Sequence, residues 1–285
     1  MPSRPIVIAV LGFWLAANGW LFYREIWPRL RTGEAPAYSI DLADEVRAEP
    51  ISWEVLYNRK RIGTAITKVV YAGESKTYDL LCDYTYEKEG LPIMALLWVK
   101  KMSSALRVTR LGQLRQARVN VALRGWTGPA EMKLEADIDR GLLTPRLELR
   151  AGAGLIEHKL NDLKPVEVSE GGNILNPMHP LNKVTNLRDG QNWRLPDVDP
   201  LKTATAALVK QSTGQDFSFP ALFAEVRATT LVWADRAVDC WLIEYHEAGK
   251  KVTARTWVRK TDDRVLRQEA THQGTQLVRE RVPLK

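Results

Sequence analysis

The histidines are the residues most able to do acid–base or metal chemistry near neutral pH, and this chain of 285 residues has four of them. They are His158, His179, His246 and His272, and no two lie within four residues of each other. A helix or strand therefore cannot present a local pair of imidazoles to a metal ion. His246 is followed by Glu247, as at the start of a zinc-protease motif, but no second histidine follows at the required spacing. We expect no metal site.

Other patterns that support catalysis are also incomplete. Asp137 and Asp139 precede Gly141 as in a calcium loop, but the further ligand oxygens and the closing glutamate are missing. The segment 73–77 contains a Lys-Thr pair without the first glycine and the spacing of a phosphate-binding loop. The sequence has no Gly-x-Ser-x-Gly elbow. We therefore expect no catalytic residues, no cofactor and a function that is not enzymatic.

The two cysteines, Cys82 and Cys240, are too few for a disulfide-rich scaffold or a four-cysteine metal site. Cys82 shares the apolar side of one strand pattern with Tyr84, whereas Cys240 lies opposite the apolar Trp241 and Ile243 in another. This alternation places the two thiols on opposite faces of a sheet, where they cannot form a bridge. We expect both thiols to be free, with Cys82 in the core and Cys240 modifiable on a wetter face.

The segment 5–23, PIVIAVLGFWLAANGWLFY, contains no charged residue. At about 1.5 Å per residue, a helix of this length spans about 28 Å, close to the thickness of the hydrocarbon core of a bilayer. We predict a short tail at 1–4 and one transmembrane helix at 5–23. A cleaved signal peptide is the alternative, but no good small-x-small cleavage site follows. The predicted anchor residues are apolar or aromatic: Ile6, Trp14, Trp20, Tyr23 and Trp27.

The arginines that flank this segment give conflicting indications about its orientation. Arg24, Arg29 and Arg31 follow the segment and Arg4 alone precedes it, so the positive-inside rule favours a cytoplasmic domain. The very short N-terminal tail favours the opposite arrangement, because large domains are translocated largely regardless of their charge. We expect a single-pass protein of a bacterial inner membrane with an extracytoplasmic C-terminal domain.

The net charge of +7 does not indicate a nucleic-acid-binding protein. Four arginines and one glutamate lie in residues 1–31, so +4 of the +7 belongs to the rest of the chain. There the basic residues alternate with acidic ones, as in Glu131, Lys133 and Glu135, whereas a nucleic-acid surface concentrates them on one face. The expected partners are the membrane, a lipid or lipoprotein, or another envelope protein, and no nucleic acid.

Period-two alternation dominates the chain after a predicted juxtamembrane linker at 24–50. Trp53, Val55 and Tyr57, for example, alternate with more polar residues. Alternation of this kind is typical of antiparallel sheets with one buried and one solvated face. Residues 51–285 are therefore predicted to form one β-rich domain, a long antiparallel meander. Its last third contains five strand patterns separated by short polar turns: 221–233, 238–247, 250–259, 264–272 and 276–282.

Two segments interrupt the strand patterns. Residues 199–214 are predicted to form a helix, with an N-cap aspartate, a proline in the first turn and a terminal glycine. Segment 92–104, PIMALLWVKKMSS, fits either a helix that begins at Pro92 or a buried strand, because its first half is apolar on every side. The irregular stretch 171–199 is either a linker between two half-sheets or a functional loop. The predicted fold is mainly β, a curved sheet or open barrel with one or two helices after the transmembrane helix.

Three short motifs resemble those of uncharacterised envelope proteins of the lipoprotein-carrier type. They are WEVLYNRKRIG at 53–63, TWVRKTDDRVLRQE at 256–269, and Gly190-Gln-Asn-Trp193 with Asp199-Pro200. In domains of that type a strongly curved sheet shelters acyl chains beneath helices, so the resemblance implies this fold and a lipid-binding role. This chain departs from them in lacking a lipid-attachment cysteine. The resemblance carries over no functional residue.

The expected function is that of a membrane-anchored envelope protein whose β domain binds an apolar or lipid-like ligand or a lipoprotein. A second hypothesis is a structural or assembly scaffold that pairs with a partner protein through its sheet edges. The candidate ligand lining is an apolar run that could equally be ordinary core: Ile93, Met94, Leu96, Leu97 and Trp98.

Overall fold

The structure is a computed structural model that describes part of the chain: residues 14, 17–20, 46, 48–87, 90–94, 97–110, 113–125, 128–139, 141–152, 156–160, 166–167, 182–195, 222–247, 251–272 and 275–283. Within these residues no helix is long and apolar enough to cross a bilayer. Most of the predicted transmembrane segment 5–23 and of the predicted linker 24–50 lies outside the described residues, as does all of the predicted helix 199–214. Of the predicted anchor residues, the structure describes Trp14 and Trp20, which are both exposed.

The described chain forms sixteen strands of one open, curved antiparallel sheet. The domain is therefore mainly β, and the predicted meander is confirmed. The strands are β1 (Ile51–Tyr57), β2 (Lys60–Ala72), β3 (Thr77–Tyr86), β4 (Leu91–Met94), β5 (Leu97–Val108), β6 (Leu114–Gly125), β7 (Gly128–Asp139), β8 (Leu142–Ala151), β9 (Ile156–Leu160), β10 (Val166–Glu167), β11 (Asn192–Arg194), β12 (Leu222–Trp233), β13 (Arg236–Glu247), β14 (Val252–Arg259), β15 (Val265–His272) and β16 (Thr275–Arg281).

The order of the strands in the sheet is β10-β8-β7-β6-β5-β3-β2-β1-β16-β15-β14-β13-β12-β11. β4 and β9 lie off this path, because β4 pairs with the first residues of β5 and β9 pairs with the last residues of β8. Strands that follow each other in the chain are mostly neighbours in the sheet, as in a meander. The pairing of β1 with β16 is different, because it joins the first strand to the last in the middle of the sheet.

Asn58 strengthens this junction between the first and last strands. Asn58 and Arg59 both have positive φ angles, as the two-residue turn between β1 and β2 requires. The backbone nitrogen of Asn58 donates to the carbonyl oxygen of Gln276 at 2.8 Å, and its side-chain oxygen accepts from the backbone nitrogen of Gln276 at 2.9 Å. The β1–β2 turn is thereby attached to the start of β16.

Alternation along the strands places most large apolar side chains on one face of the sheet, which we call the inner face. The main cluster of buried residues lies on this face and includes Trp53, Tyr84, Val119 and Ile243, from strands on both sides of the β1–β16 junction. A second buried cluster occupies the inner face of β3 and β5–β8, and Val46 packs against it. The opposite, outer face carries most of the charged side chains.

The stretch 171–199, predicted as a linker or a functional loop, is described from residue 182 to residue 195. Val184, Leu187 and Trp193 of this segment belong to the main inner-face cluster. The segment therefore covers part of the inner face and ends in the edge strand β11.

Segment 92–104 is extended wherever the structure describes it, in β4 and β5. The helical interpretation of this segment is therefore wrong. β5 pairs with β6 on one side and with β3 and β4 on the other, so it is a central strand. A bulge between Val99 and Lys101 also interrupts the alternation that makes a strand recognisable in a sequence.

Cys82 and Cys240 are both free, and the strand register places them on opposite faces, as predicted. The expectation that Cys240 lies on a wetter face is wrong, because its exposed fraction is 0%. On the outer face Cys240 forms a small buried cluster with Leu231 and Leu266, and Trp257 packs against this cluster. Both cysteines are therefore interior residues.

Candidate functional site

The predicted ligand lining lies at the β4–β5 hairpin, which contains Ile93, Met94, Leu97 and Trp98. Trp98 is half-buried. Leu96, and the side chains of the other three residues, lie outside the described part of the structure. A ligand site at this hairpin stays a prediction.

Three polar side chains are buried in the middle of the inner face. Thr256 of β14, Gln268 of β15 and Arg279 of β16 are successive cross-strand partners, and we call them the polar row. Their exposed fractions are 2%, 2% and 0%. Burial of a guanidinium is costly unless it is compensated by hydrogen bonds or by an opposite charge. Arg279 is therefore the residue on this face that most needs a physical explanation.

Arg279 reaches across β1 and β2 to β3. Its Nη1 atom donates a hydrogen bond to the hydroxyl of Tyr84, and its guanidinium carbon lies 5.5 Å from the centre of the Tyr84 ring. The rings of Tyr84 and Tyr86 stack nearly parallel, with centroids 6.1 Å apart. The inner face of β2 carries Gly63 and Ala65 opposite these tyrosines, and their small size leaves room for the long arginine side chain.

The weak acids beside Arg279 are neutral at pH 7. Burial raises the pKa of Cys82 to about 11 and that of Tyr86 to about 12, although the charge of Arg279 lowers each pKa in part. Burial also raises the pKa of Tyr84 well above its ordinary value, again against the charge of Arg279. The hydroxyl of Tyr84 and the thiol of Cys82 are close enough to affect each other's pKa. These three groups stabilise the guanidinium as dipoles and not as anions.

Two arginines lie on the inner face of the central strands. On this face of β1–β3 and β14–β16, the register places Arg279 and Arg281 and no aspartate or glutamate. Arg281 is 8% exposed and donates to the neutral side-chain oxygen of Asn182 at 2.9 Å. The acidic residues of these strands lie on the outer face, where Glu269, for example, pairs with Arg267 at 2.6 Å.

Two further polar groups face the main inner cluster. Burial raises the pKa of Tyr245 to about 12, and the nearby hydroxyl of Thr256 offsets part of this effect. The indole N–H of Trp193, in a residue that is 3% exposed, has no hydrogen-bond partner among the described residues. Buried donors are nearly always satisfied in folded proteins, so this one requires an explanation.

The motif at 53–63 has a structural role at its last residue. A β-carbon on Gly63 would lie 2.8 Å from the Cα of Tyr86 and closer still to the carbonyl oxygen of Thr85. A register shift between Val55 and Leu56 accompanies this close approach of β2 to β3. The Ile-Gly pair is therefore explained by packing.

The motif at 256–269 forms the turn between β14 and β15. Arg259 donates two hydrogen bonds to the carboxylate of Asp262, at 2.7 and 2.6 Å. Burial raises the pKa of Asp262, but the hydrogen bonds and charge of Arg259 outweigh burial and hold this pKa below its ordinary value. The next residue, Asp263, has a φ of 59°, and burial together with the charge of Asp262 raises its pKa.

The Gly190–Trp193 motif, together with the preceding Asp189, attaches the edge strand β11 to β12. The backbone nitrogen of Gly190 donates to the carbonyl oxygen of Val226 at 2.9 Å, and a carboxylate oxygen of Asp189 accepts from the backbone nitrogen of Ala228 at 2.8 Å. Asp199-Pro200 lies outside the described residues. All three motifs thus support the architecture of the sheet in the part that the structure describes.

A shallow groove of about 450 Å³ lies on the outer face of β3 and β5–β7. The groove is open, and it lies away from the β4–β5 hairpin where the sequence predicts a ligand site. Eight of its lining residues form two cross-strand rows on the outer face: Asp83, Ser103, Asn120 and Lys133 in one, and Thr85, Lys101, Ala122 and Glu131 in the other. The other four belong to the alternate positions of the same strands: Tyr84, Met102, Val121 and Met132.

The histidines that the structure describes are distributed over the sheet. His158, His246 and His272 lie in β9, β13 and β15, and His179 lies outside the described residues. No group of three or more histidine, cysteine, aspartate or glutamate side chains is placed to hold a metal ion in the described part of the chain.

A scan against protein-family models and a comparison with curated proteins find no match for this chain. Among solved structures, the chain is similar to a β-barrel-like protein of the domain of unknown function DUF1849 from Brucella abortus. The two share 10% sequence identity with a TM-score of 0.36, over 84% of this chain and 98% of that chain. The resemblance to domains of the lipoprotein-carrier type stays a prediction.

Proposed function

We propose that this protein is a non-enzymatic, membrane-anchored envelope protein whose β domain binds an apolar or lipid-like ligand. The proposal rests on the large number of strands over which the inner face is apolar. Its two clusters extend from β12 to β8, and in the described part of the chain only the segment 182–195 and Val46 pack onto this face from outside the strands. A concave apolar surface with a few polar groups is typical of sites for apolar ligands.

The indole N–H of Trp193 supports a ligand over an ordinary protein core. A core that is complete without a ligand satisfies nearly all of its buried donors. Trp193 is buried in the main cluster and has no acceptor among the described residues. A lipid ester or carboxyl oxygen is an acceptor of the required kind.

The proposal places the protein in the bacterial inner membrane, with the β domain outside the cytoplasm. Its support is the uncharged segment 5–23, which is long enough to span a bilayer. Val46, at the end of the predicted linker, packs against the second inner-face cluster. The chain that leaves the membrane would therefore enter the domain beside the apolar face.

Native mass spectrometry of the full-length protein, extracted in a mild detergent, tests this function. We expect adducts with the masses of lipids. Ala270→Phe places a ring on the inner face and should reduce these adducts, whereas Ala122→Phe places the same ring on the outer face and should leave them unchanged. Protein without lipid adducts, or equal adducts in both variants, would contradict the proposed inner-face site.

A second candidate function is assembly through the part of β12 that β11 does not cover. Residues 189–194, which include β11, form hydrogen bonds with β12 up to Ala228. Among the described residues, none pairs with this edge of β12 after Ala228. Beyond this point β12 continues to Trp233, and Val232 is 71% exposed. An exposed strand edge with β-branched residues can pair with a strand of another protein. A photo-crosslinker at position 232 should then capture a partner, and a crosslinker at Ile66 of the central strand β2 should not.

A further inference from the structure

We propose that the free edge of β12, residues 229–233, pairs with the same edge of a second copy of this chain. The two sheets then continue into each other across a two-fold axis. This inference rests on the second candidate function, because it names the partner of that edge. It is independent of what the inner face binds.

The free edge is held in place by side chains on its other positions. Leu231 is 8% exposed and packs with Cys240 and Leu266 on the outer face. The indole N–H of Trp233 donates to the carbonyl oxygen of Arg281 at 2.9 Å. The strand is therefore already formed before it meets a partner, which lowers the entropic cost of pairing.

Two residues of the free edge have backbone groups that point away from the sheet. At the edge that β11 covers, the N–H of Val226 donates to the carbonyl oxygen of Gln191, and the carbonyl of Val226 accepts from Gly190. Backbone groups of a regular strand point alternately to its two sides, and the β12–β13 register shows no shift. The N–H and C=O groups of Thr230 and Val232 therefore point to the same edge, beyond the end of its cover.

The side chains of the free edge do not prevent pairing with another strand. Residues 229–233 include no charge, proline or glycine, whereas edge strands are usually protected by lysine, proline or a bulge. Val232 is 71% exposed, and Thr230 is exposed beside it. β-Branched and aromatic residues favour the pairing of strands. We therefore expect this edge to be paired in the assembled protein.

The charges on either side of the free edge identify the partner as a second copy. When the strand pairs antiparallel with itself about Leu231, Thr230 of one copy and Val232 of the other exchange backbone hydrogen bonds. Arg227 lies four residues before Leu231, and Asp235 lies four residues after it. In this register Arg227 of one copy is opposite Asp235 of the other, and the two-fold axis repeats the pair.

Both charged side chains are available for this contact. The side chain of Arg227 is 58% exposed and lies 3.1 Å from Glu244, whose carboxylate is shared with Arg255 at 2.8 Å. Two guanidiniums thus share one carboxylate, so a further carboxylate beside Arg227 is favourable. Asp235 is exposed in the turn after β12 and makes no ion pair with a described residue.

β11 does not obstruct the second strand. The backbone nitrogen of Ala228 donates to Asp189 at 2.8 Å, and the cover of β12 ends there. In the proposed register Ala228 is opposite Ala234, which lies in the turn after β12. The covered part of each β12 therefore lies beyond the end of the other strand.

The test is the association state of the full-length protein in detergent, measured by sedimentation velocity over a range of protein concentrations. Pairing over so short an edge gives a small interface, so we expect a reversible dimer with a dissociation constant in the micromolar range. Thr230→Pro removes an N–H that points to the free edge and not to β13. It should weaken the dimer by about tenfold or more and leave the domain folded.

Val232→Lys and Ile66→Lys form a matched pair of variants. Each replaces an exposed β-branched residue by lysine, at the free edge in the first case and on the central strand β2 in the second. Val232→Lys should weaken the dimer by about tenfold, because lysine is a residue that protects edges. Ile66→Lys should leave the dimer unchanged. Equal effects of the two variants would overturn the assignment of the contact to β12.

An exchange of charges tests the register. Arg227→Glu and Asp235→Lys each place like charges opposite each other in a dimer of identical copies, so each variant alone should dimerise more weakly than wild type. An equimolar mixture of the two variants should form a heterodimer, because both contacts are then attractive. Formation of this heterodimer also shows that both variants are folded.

The outcomes separate this inference from the candidate function on which it rests. Wild type that stays monomeric at about 100 μM, or a dimer that Thr230→Pro leaves intact, would overturn pairing with a second copy. A wild-type dimer without a heterodimer in the mixture would overturn the register about Leu231. Capture of a different protein by the photo-crosslinker at position 232 would overturn the choice of partner and leave assembly through this edge intact. No capture at this position would overturn the assembly function itself.

Discussion

Gly63 of β2 lies directly against the backbone of Thr85 in β3, at a distance that leaves no space for a β-carbon. The obstacle is main-chain atoms of a neighbouring strand, which cannot move without disturbing the β2–β3 pairing. Position 63 also lies within the row that runs from Arg279 through Val55 to Tyr86. A single atom added here would therefore act on both the sheet and the candidate site.

Gly63→Ala should destabilise the protein by about 2–3 kcal/mol, the upper part of the range for overpacking. Urea denaturation followed by tryptophan fluorescence measures the change. Gly73→Ala is the control, because a β-carbon there meets only a ring carbon of Tyr71 at 3.8 Å. It should change stability by no more than about 0.5 kcal/mol. Equal effects of the two substitutions would show that Gly63 is not constrained as described.

Asp262→Asn should destabilise the protein at neutral pH by about 1 kcal/mol, because it removes a partly exposed, charge-assisted pair with Arg259. The folded-state pKa of Asp262 lies below its ordinary value. Its stabilising contribution is therefore complete above about pH 4 and is lost as the pH falls through the folded value. The difference in the free energy of unfolding between wild type and variant should therefore disappear in acid. Urea denaturation at several pH values measures it.

Asp263→Asn is the matched control, because the charge of Asp263 destabilises the folded protein whereas that of Asp262 stabilises it. The pKa of Asp263 is raised in the folded protein, so its negative charge opposes folding above that pKa and this penalty disappears as the pH falls. Asparagine also accepts the positive φ of this position. The variant should be as stable as wild type, or more stable, at pH 7. A loss of stability equal to that of Asp262→Asn would argue against these opposite environments.

Neither native cysteine should react with iodoacetamide in the folded protein. Both thiols are buried, and burial raises the pKa of each to about 11, so the reactive thiolate is scarce at pH 7. Both should react in urea, and non-reducing peptide mapping should find them unlinked. A Cys82–Cys240 peptide would contradict the assignment of the two strands to opposite faces.

A cysteine engineered into the predicted turn at 249–251 should react with a membrane-impermeant maleimide in intact spheroplasts. The buried native thiols provide a low background for this experiment. Lysed spheroplasts of the same variant give the full labelling for comparison. Reaction only after lysis would place the β domain in the cytoplasm, as the arginines at 24, 29 and 31 suggest.

The strands were predictable where apolar and polar residues alternate within the strand itself. β12–β16 follow regular patterns of apolar and polar residues with short turns between them, and the structure has strands at the same places. β4 and β5 were ambiguous, because a central strand whose first half is apolar shows no polar side. The pairing of β1 with β16 was not predictable, since either strand could pair with any other alternating segment.

The candidate site was harder to predict for a related reason. Alternation with Leu277 places Arg279 on the inner face, but charged residues are usually assigned to solvent. Its hydrogen-bond partner Tyr84 lies 195 positions away in the sequence. Alternation alone predicts a wetter face for Cys240, because no local pattern indicates the apolar cluster of Leu231 and Leu266 that surrounds it.

The β1–β16 junction has a consequence for how the protein is synthesised. Translation produces β1 before every other strand and β16 after them, yet these two are neighbours at the centre of the sheet. One edge of β1 therefore has no partner until almost the whole domain has been made, and unpaired edges are prone to aggregation. A premature stop codon would remove a central strand and not a peripheral one. Completion of the sheet thus depends on completion of the polypeptide, so that truncated products remain unfolded and open to proteolysis.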